Sequence, residues 1–508
     1  MSSANLAAAL VDGAVARGLG EQTAIREPKR AWSYGRLAEE SARVASALAE
    51  LGVKPGERVG LLLHDSAELA ACFLGAVRLG AVPAPISVLL RPLEVRALFA
   101  DAAPVAVVVS SDLAPGLEEI RGDLPSLRHL LAVGGARPGQ LDLHALTAHA
   151  DARFPPYAPG AGEPAFFLYS AGPTGSPKRV AHGHEAAAHA FRAYGEGVLR
   201  LGASDRVFTT SSLASAYGLC LGLLFPLAAG ASTFLLPGRP RPRVLLDVMA
   251  AFRPTVFAAA PSLYGQLLHD WRGLSSPRPR PFSTVRVAVS GAEPLPPRLE
   301  RRLRDELGVS LVHGFGVTEA LSFVLSNRID QRKEGSSGRP VDGIEARVVG
   351  SDGAALPLLE IGALEVRGPT VAGGGDDGWL RVGDRFFVDD EGYFFHCGRA
   401  DDLFKVGGRW VSPDEVERTL LAHPAVWECA VVEGHDDDGL PLPVAYVVPN
   451  VGHAATAELA EQLMNFVKRE IAPWKYPRAV EFVGELPKDE RGVVQRWRLL
   501  RDPLAAAR

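Results

Sequence analysis

The sequence predicts an α/β protein, with a large N-terminal domain of α/β subdomains, a small β-rich subdomain after it, and a small α+β domain at the C-terminal end. Three observations carry this expectation. Strand, helix and strand follow one another between Val59 and Ile86, the same alternation recurs far along the chain, and from about Gly343 it gives way to short strands and turns. A length of 508 residues leaves room for roughly three domains or subdomains, each with its own core.

The elements can be taken in order. Val59-Gly60-Leu61-Leu62-Leu63 is an apolar run of the length of a buried strand. Ser66 precedes Leu69, Phe73, Ala76 and Val77, which share one helical face, and Gly80 ends that pattern. Val82-Pro83-Ala84-Pro85-Ile86 resumes extended chain, and strand, helix, strand is the mark of a parallel sheet. Further strands are expected at 105–109, 232–236, 255–259 and 285–290. Beyond Gly343, Ala346-Arg347-Val348-Val349 and Leu364-Glu365-Val366-Arg367 are short strands between turns. Ser412-Pro413-Asp414-Glu415 starts a helix, with a capping serine, proline at the first helical position and a glutamate placed to turn back on the cap. His435-Asp436-Asp437-Asp438-Gly439 reads as a solvated acidic turn rather than a metal site.

Composition narrows the functional classes. Hydrophobic residues at 47% and charged residues at 22% describe a globular protein, and a net charge of −5 gives no footing for nucleic acid or an anionic membrane. Cys72, Cys220, Cys397 and Cys429 are scattered without a Cys-x-x-Cys pair, which argues against a zinc site or a disulfide framework. The start of the chain shows no secretory pattern, and the apolar stretch 219–231 is too short and too interrupted to span a bilayer, so no membrane span and a cytoplasmic location are expected.

The chemistry begins at Tyr169-Ser170-Ala171-Gly172-Pro173-Thr174-Gly175-Ser176-Pro177-Lys178-Arg179, after the apolar Ala165-Phe166-Phe167-Leu168. That order suits a strand running into a turn whose backbone N–H groups and one ammonium face an anion. It lacks the Walker spacing, and alone it could equally be a surface turn. The loop resembles the phosphate loop of the ANL superfamily, the acyl- and aryl-CoA ligases, peptide-synthetase adenylation domains and luciferases. Four more motifs follow in that family's order. Ser290-Gly291-Ala292-Glu293-Pro294-Leu295-Pro296 resembles the adenine-wall segment, His313-Gly314-Phe315-Gly316-Val317-Thr318-Glu319 the aromatic-Gly-x-Thr-Glu motif, Val382-Gly383-Asp384 the ribose-binding Thr-Gly-Asp, and Gly398-Arg399-Ala400-Asp401-Asp402 the hinge. On these the chain is identified as a member of the family.

The resemblance implies an AMP-binding domain over residues 1–399 and a mobile domain over 400–508, turning about a hinge at Asp401. Family members make an acyl-adenylate from a carboxylic acid and ATP, then rotate the C-terminal domain so that a thiol, usually that of CoA, attacks it. Carried over by motif, Ala292, Glu293 and Pro294 lie along adenine and Phe315 packs on its ring, with His313, Gly314, Gly316 and Val317 in the same nucleotide site. Asp384 accepts from both ribose hydroxyls, Arg399 adds a donor there, Thr318 meets the α-phosphate, and Glu319 would ligate Mg²⁺ if Mg²⁺ is used. Ser170, Gly172, Thr174, Gly175 and Lys178 remain of the phosphate loop. Lys405, Gly407 and Gly408 resemble the loop that lines the pantetheine channel. Ser215-Ala216-Tyr217-Gly218-Leu219 resembles aryl-CoA ligases such as benzoate-CoA ligase, so Ala216, Tyr217 and Leu321 are expected in the acyl pocket, although core packing would give the same composition.

Two departures point the same way. Leu486-Pro487-Lys488-Asp489-Glu490-Arg491-Gly492-Val493-Val494-Gln495-Arg496 matches the family's C-terminal motif but places Val493 where the lysine that reaches the carboxylate and α-phosphate belongs. In the phosphate loop, Ala171 and Pro173 remove two hydroxyls and one backbone N–H. Loss of one preorganised donor costs on the order of 10²–10³ in rate. The expectation is an enzyme specialised for acyl-AMP and CoA going to acyl-CoA and AMP, with CoA and AMP or acyl-AMP as ligands, ATP and Mg²⁺ left open, and a separate adenylating enzyme as a partner. This combination resembles the non-adenylating acyl-CoA ligases of platensimycin-type biosynthesis. The alternatives are a complete aryl- or acyl-CoA ligase, with Lys488 or Arg491 replacing the lost lysine, and a nucleotide-binding pseudoenzyme.

Overall fold

Ser66 and Gly80 bracket the helix Ala67–Leu79 as their chemistry dictates, with Ser66 Oγ accepting from Leu69 N and Gly80 closing the last turn. A side-chain cap of this kind contributes about 1 kcal/mol. The helix is buried on every side, so its one acid, Glu68, is neutralised by the guanidinium of Arg30. The structure, a computed structural model, describes residues 4–170, 178–238, 242–272, 282–399, 404–406, 409–435, 441–471, 475–488, 492 and 494–499.

That helix joins two strands of a parallel sheet whose order is Val82–Pro85, Arg58–Leu62, Ala106–Ser110, His129–Val133, Leu141–Asp142. A second, larger sheet carries the parallel strands Thr23–Arg26, Ser232–Phe234, Arg206–Thr209, Val256–Ala259, Val287–Ser290 and Leu311–Gly316 side by side. Its central strands are buried on both faces, which is why they read as continuous apolar runs rather than alternating ones. Against the first sheet lies an antiparallel hairpin, Pro164–Ser170 and Lys178–Gly183, whose ends present residues 170 and 178 to each other. The candidate phosphate loop therefore falls between two antiparallel strands. Ala171, Gly172, Pro173, Thr174 and Gly175 lie outside the described residues.

The β-rich subdomain is an antiparallel sheet of Glu345–Val349, Gly362–Arg367, Leu380–Val388 and Phe394–Arg399. The C-terminal domain follows. It has the strand pair Phe404–Val406 and Arg409–Val411, the helices Pro413–Leu421 and Ala457–Glu470, and a sheet of Val426–His435, Pro441–Pro449 and Ala479–Phe482 around its own core of Val416, Leu420, Val431, Val447 and Leu463. Ser412 caps the first of these helices as expected, but the Glu415 carboxylate holds Lys475 rather than returning to the cap. A nearby cation competes well for a carboxylate that would otherwise find one backbone N–H. The acidic turn at 436–438 and the boundary at 400 lie outside the described residues. All four cysteines are buried and unpaired. Among the described residues no helix is long and apolar enough to cross a membrane.

Candidate active site

The C-terminal ends of the parallel strands Val287–Ser290 and Leu311–Gly316 open onto one place, as such sheets dispose their loops. After the first strand the chain turns through Gly291 and Ala292, the latter in the left-handed region at φ 68. A side chain at Gly291 would put its Cβ 2.5 Å from the ring of Phe323, so only glycine lets the backbone pass this close. Pro294 follows in the same turn. Glu293 accepts from both Ser262 N and Ser262 Oγ at 3.0 Å, which commits its carboxylate to the start of the helix Pro261–Arg272. That position suits an acid, because the first turn of a helix leaves N–H groups unpaired.

On the second strand His313 is buried, with Nδ1 3.4 Å from Ser290 Oγ. Burial, helped by the neighbouring His396, lowers its pKa to about 4, so this ring is neutral at physiological pH. Gly314 packs beneath Phe323, and Gly316 is exposed. Phe315 is half-buried between two rings, edge-on to Phe386 at 5.0 Å and stacked on His396 at 5.9 Å and 27°. Past Val317 a 3₁₀ turn, Thr318–Ala320, presents the half-buried Thr318 and Glu319. Ser170 Oγ donates to Glu319 Oε1 at 3.2 Å, which joins the end of the phosphate-loop strand to the candidate Mg²⁺ ligand. Hard carboxylate oxygen beside a hydroxyl is a donor set that suits that ion. Lys178 lies across from Ser170 in the hairpin.

An aromatic wall adjoins this turn. Ser215 Oγ accepts from Gly218 N and starts the helix Ala216–Leu219, which brings Tyr217 edge-on to Phe323 at 5.5 Å and 89°. The Tyr217 hydroxyl donates to Val289 O at 3.4 Å, and Tyr194 also packs on Phe323, with ring centroids 4.6 Å apart. Ala216 and Leu321 are buried against it, and Leu321 is held at φ 63. The thiol of Cys220 donates to the Leu321 carbonyl at 3.2 Å. Asp65 fixes the loop before the helix by accepting from Leu213 N at 3.1 Å and Ser212 Oγ at 3.3 Å. Burial pushes the Asp65 carboxyl up to about 6.

Asp384 lies across from Arg399 on paired antiparallel strands, and His396 Nε2 donates to its Oδ1 at 2.9 Å. The Arg399 and Lys405 backbones belong to strands. Asp401, Gly407, Gly408 and Val493 lie outside the described residues. Lys488 is engaged by both oxygens of Glu428 at 2.6 and 2.7 Å. The structure thus brings together Ser170, Thr318 and Glu319 at one end, the segment 291–294 and Phe315 in the middle, and Asp384 at the other. Sequence reasoning missed Phe323, Asp65 and His396. Strand pairing brings Phe323 and His396 here, the bend before the helix Ala67–Leu79 brings Asp65, and no motif marks them.

Known proteins resemble this chain along nearly its whole length. The family model "AMP-binding enzyme" matches residues 13–374, and "AMP-binding enzyme C-terminal domain" matches 415–492. The benzoate–CoA ligase of Thauera aromatica is 36% identical over 97% of this chain and 95% of its own length. The 4-hydroxybenzoate–CoA/benzoate–CoA ligase of Rhodopseudomonas palustris is 37% identical over 98% and 94%. Among solved structures, an anthranilate CoA ligase in complex with anthranoyl-AMP superposes with a TM-score of 0.92 at 35% identity, covering 98% of this chain and 97% of that one. Matched over both its domains in sequence and fold, the chain belongs to the AMP-binding enzymes of the ANL superfamily, among the acyl- and aryl-CoA ligases.

Proposed function

We propose that this protein is an aryl-CoA ligase that works through an aryl-adenylate. The observation that carries the reading is the aromatic wall of Tyr217 and Phe323, backed by the buried Tyr194, set directly against Gly291 and just past the Thr318–Ala320 turn in the chain. A flat aromatic acyl group placed there meets rings edge-on and apolar carbon, with its carboxylate directed toward Thr318. Relatives named for benzoate, 4-hydroxybenzoate and anthranilate support the same substrate class. On this reading Asp384 accepts from the ribose hydroxyls, Phe315 packs on adenine, and Gly408 lines the path of the thiol. When bound, Mg²⁺ at Glu319 would neutralise phosphate charge.

The relatives support a complete ligase that carries out both half-reactions. One sequence observation favours a narrower second reading, in which only the thioester-forming half is efficient. Val493 offers neither charge nor donor at the position of the family lysine, and Ala171 and Pro173 thin the phosphate loop. Lys488, one of the two candidate replacements, is paired with Glu428. A separate enzyme would then supply the adenylate. The two half-reactions assayed apart decide the matter, with benzoate, hydroxybenzoates and anthranilate tested in ATP–pyrophosphate exchange, and their adenylates tested for transfer to CoA or to a carrier-protein thiol. Transfer without exchange selects the narrow reading, and both together select the complete ligase. Neither reaction with any aryl group would overturn the proposal and leave nucleotide binding alone.

A further inference from the structure

His396 stands where three parts of the molecule meet, and no step assigned above uses it. It lies on the strand Phe394–Arg399, with Nε2 2.9 Å from Asp384 Oδ1 on the neighbouring strand and Nδ1 3.2 Å from Asp414 Oδ2 in the first turn of the C-terminal domain's helix Pro413–Leu421. Its ring also stacks on Phe315. A neutral imidazole has one N–H, and would turn a lone pair toward one of the two carboxylates. With both nitrogens donating, the ring is the imidazolium. Burial opposes that charge, but the hydrogen bonds and charges of Asp384 and Asp414 outweigh it and raise the pKa to about 9.

The other charged groups around it fit the same state. Burial pushes the Asp414 carboxyl up, yet His396 and Arg496 together hold it down near 2. Arg496 Nη2 is 2.9 Å from Asp414 Oδ1 and 2.8 Å from Glu417 Oε2, and Arg418 Nη2 donates to the His396 carbonyl at 3.4 Å. His313, on the far side, is neutral. A buried cation shared by two acids is a poor way to gain stability, since a well-packed apolar group does as well or better. Its use here lies in what it connects, an acid of the nucleotide site and the first turn of the domain that must rotate.

We propose that His396 is a positioning residue that couples Asp384 to the orientation of the C-terminal domain. This rests on the reading of Asp384 as the ribose-binding acid. With Asp414 docked, Asp384 is held by a charged donor, and when Asp414 leaves, that donor loses one of its two counter-charges and more readily gives up its proton. By reciprocity, a nucleotide on Asp384 changes the free energy of releasing Asp414.

The test uses the full chain. Imidazole NMR, with the His396 signal assigned by its loss in His396→Gln, should show a midpoint near 9, and Asp414→Asn should lower it by about one unit or more. AMP affinity measured by calorimetry should be within about 1.5-fold of the parent for Asp414→Asn near pH 6, where the ring is charged in both proteins, and weaker by about threefold near pH 8.5, the ratio of charged rings that a one-unit shift leaves there. A purely structural role predicts a ratio that does not change with pH. His396→Gln should flatten the pH dependence of AMP affinity, and carries the test if Asp414→Asn does not fold. A parental midpoint near 6.5, an unmoved midpoint in Asp414→Asn, or a constant affinity ratio would each overturn the coupling. No AMP binding by the parent at any pH would instead sink the nucleotide reading of the site and the coupling with it, while the NMR midpoint would still report whether the bridge exists.

Discussion

Val493 occupies the position of greatest consequence, because phosphoryl-type displacement is catalysed chiefly by positioned charge. Introducing Val493→Lys should raise ATP–pyrophosphate exchange by about 10²-fold or somewhat less, since Ala171 and Pro173 remain in the phosphate loop. Exchange assays on parent and variant with the same aromatic acid check this, and an unchanged rate would show that the lysine position is not what limits adenylation. Gly291 makes the converse test of the acyl side. Its Cβ would meet the Phe323 ring at 2.5 Å, so Gly291→Val should displace that ring, cost about 1–3 kcal/mol in urea unfolding, and weaken binding of an aryl-adenylate. Retained stability and affinity together would show that the aromatic wall yields more easily than its packing implies. The motif residues at this scale were legible in the sequence because each sits in a short contiguous pattern. Phe323 and Asp65 were not, because their importance comes from strands and loops that only the fold brings near 291 and 213.

Elements were legible where local chemistry decides them. The helix Ala67–Leu79 begins and ends at the serine and glycine that predict it, and the buried strands of the large sheet appear as apolar runs. Pairing was less so, since hydrogen bonding between strands is not written in either strand alone. The hairpin around the phosphate loop and the commitment of Glu415 to Lys475 rather than to its own cap are both non-local outcomes. Ser412 shows how one residue can serve two elements. Its hydroxyl accepts from Glu415 N and donates to the Cys397 carbonyl, so it caps a helix of the C-terminal domain while tying it to the last strand of the β-rich subdomain. Ser412→Ala should cost about 1–2 kcal/mol and speed hydrogen exchange in the helix Pro413–Leu421 above all. A uniform change in exchange across the molecule would argue that the cap is not local to that helix.

At the scale of the whole molecule, the His396 bridge ties stability to pH with a definite sign. A histidine whose folded pKa is raised contributes stability that is full below its unfolded value near 6.5 and is lost as pH rises through about 9. The melting temperature should therefore fall across that window, and His396→Gln should remove this part of the slope; a slope unaltered in the variant would assign it to other groups. The rotation expected from the family resemblance is tested at the same scale. Asp401→Pro, at the expected hinge, should stop acyl transfer from supplied adenylate while leaving AMP affinity nearly unchanged, because fixing φ restricts the turn of the C-terminal domain. Transfer at the parental rate would remove the rotation from the mechanism. One further consequence follows from the cysteines. An enzyme that displays a mixed anhydride to an incoming thiol exposes its own sulfur to the same electrophile. Here Cys72, Cys220, Cys397 and Cys429 are all buried, and burial raises each thiol far above its ordinary value, about 12 for Cys397. Cys220, whose hydrogen bond reaches the carbonyl of Leu321 beside the proposed acyl pocket, is therefore a protonated, inert neighbour. On the proposed function the activated acyl group would meet no nucleophilic sulfur of the protein's own, and the catalyst would be spared from becoming its own substrate.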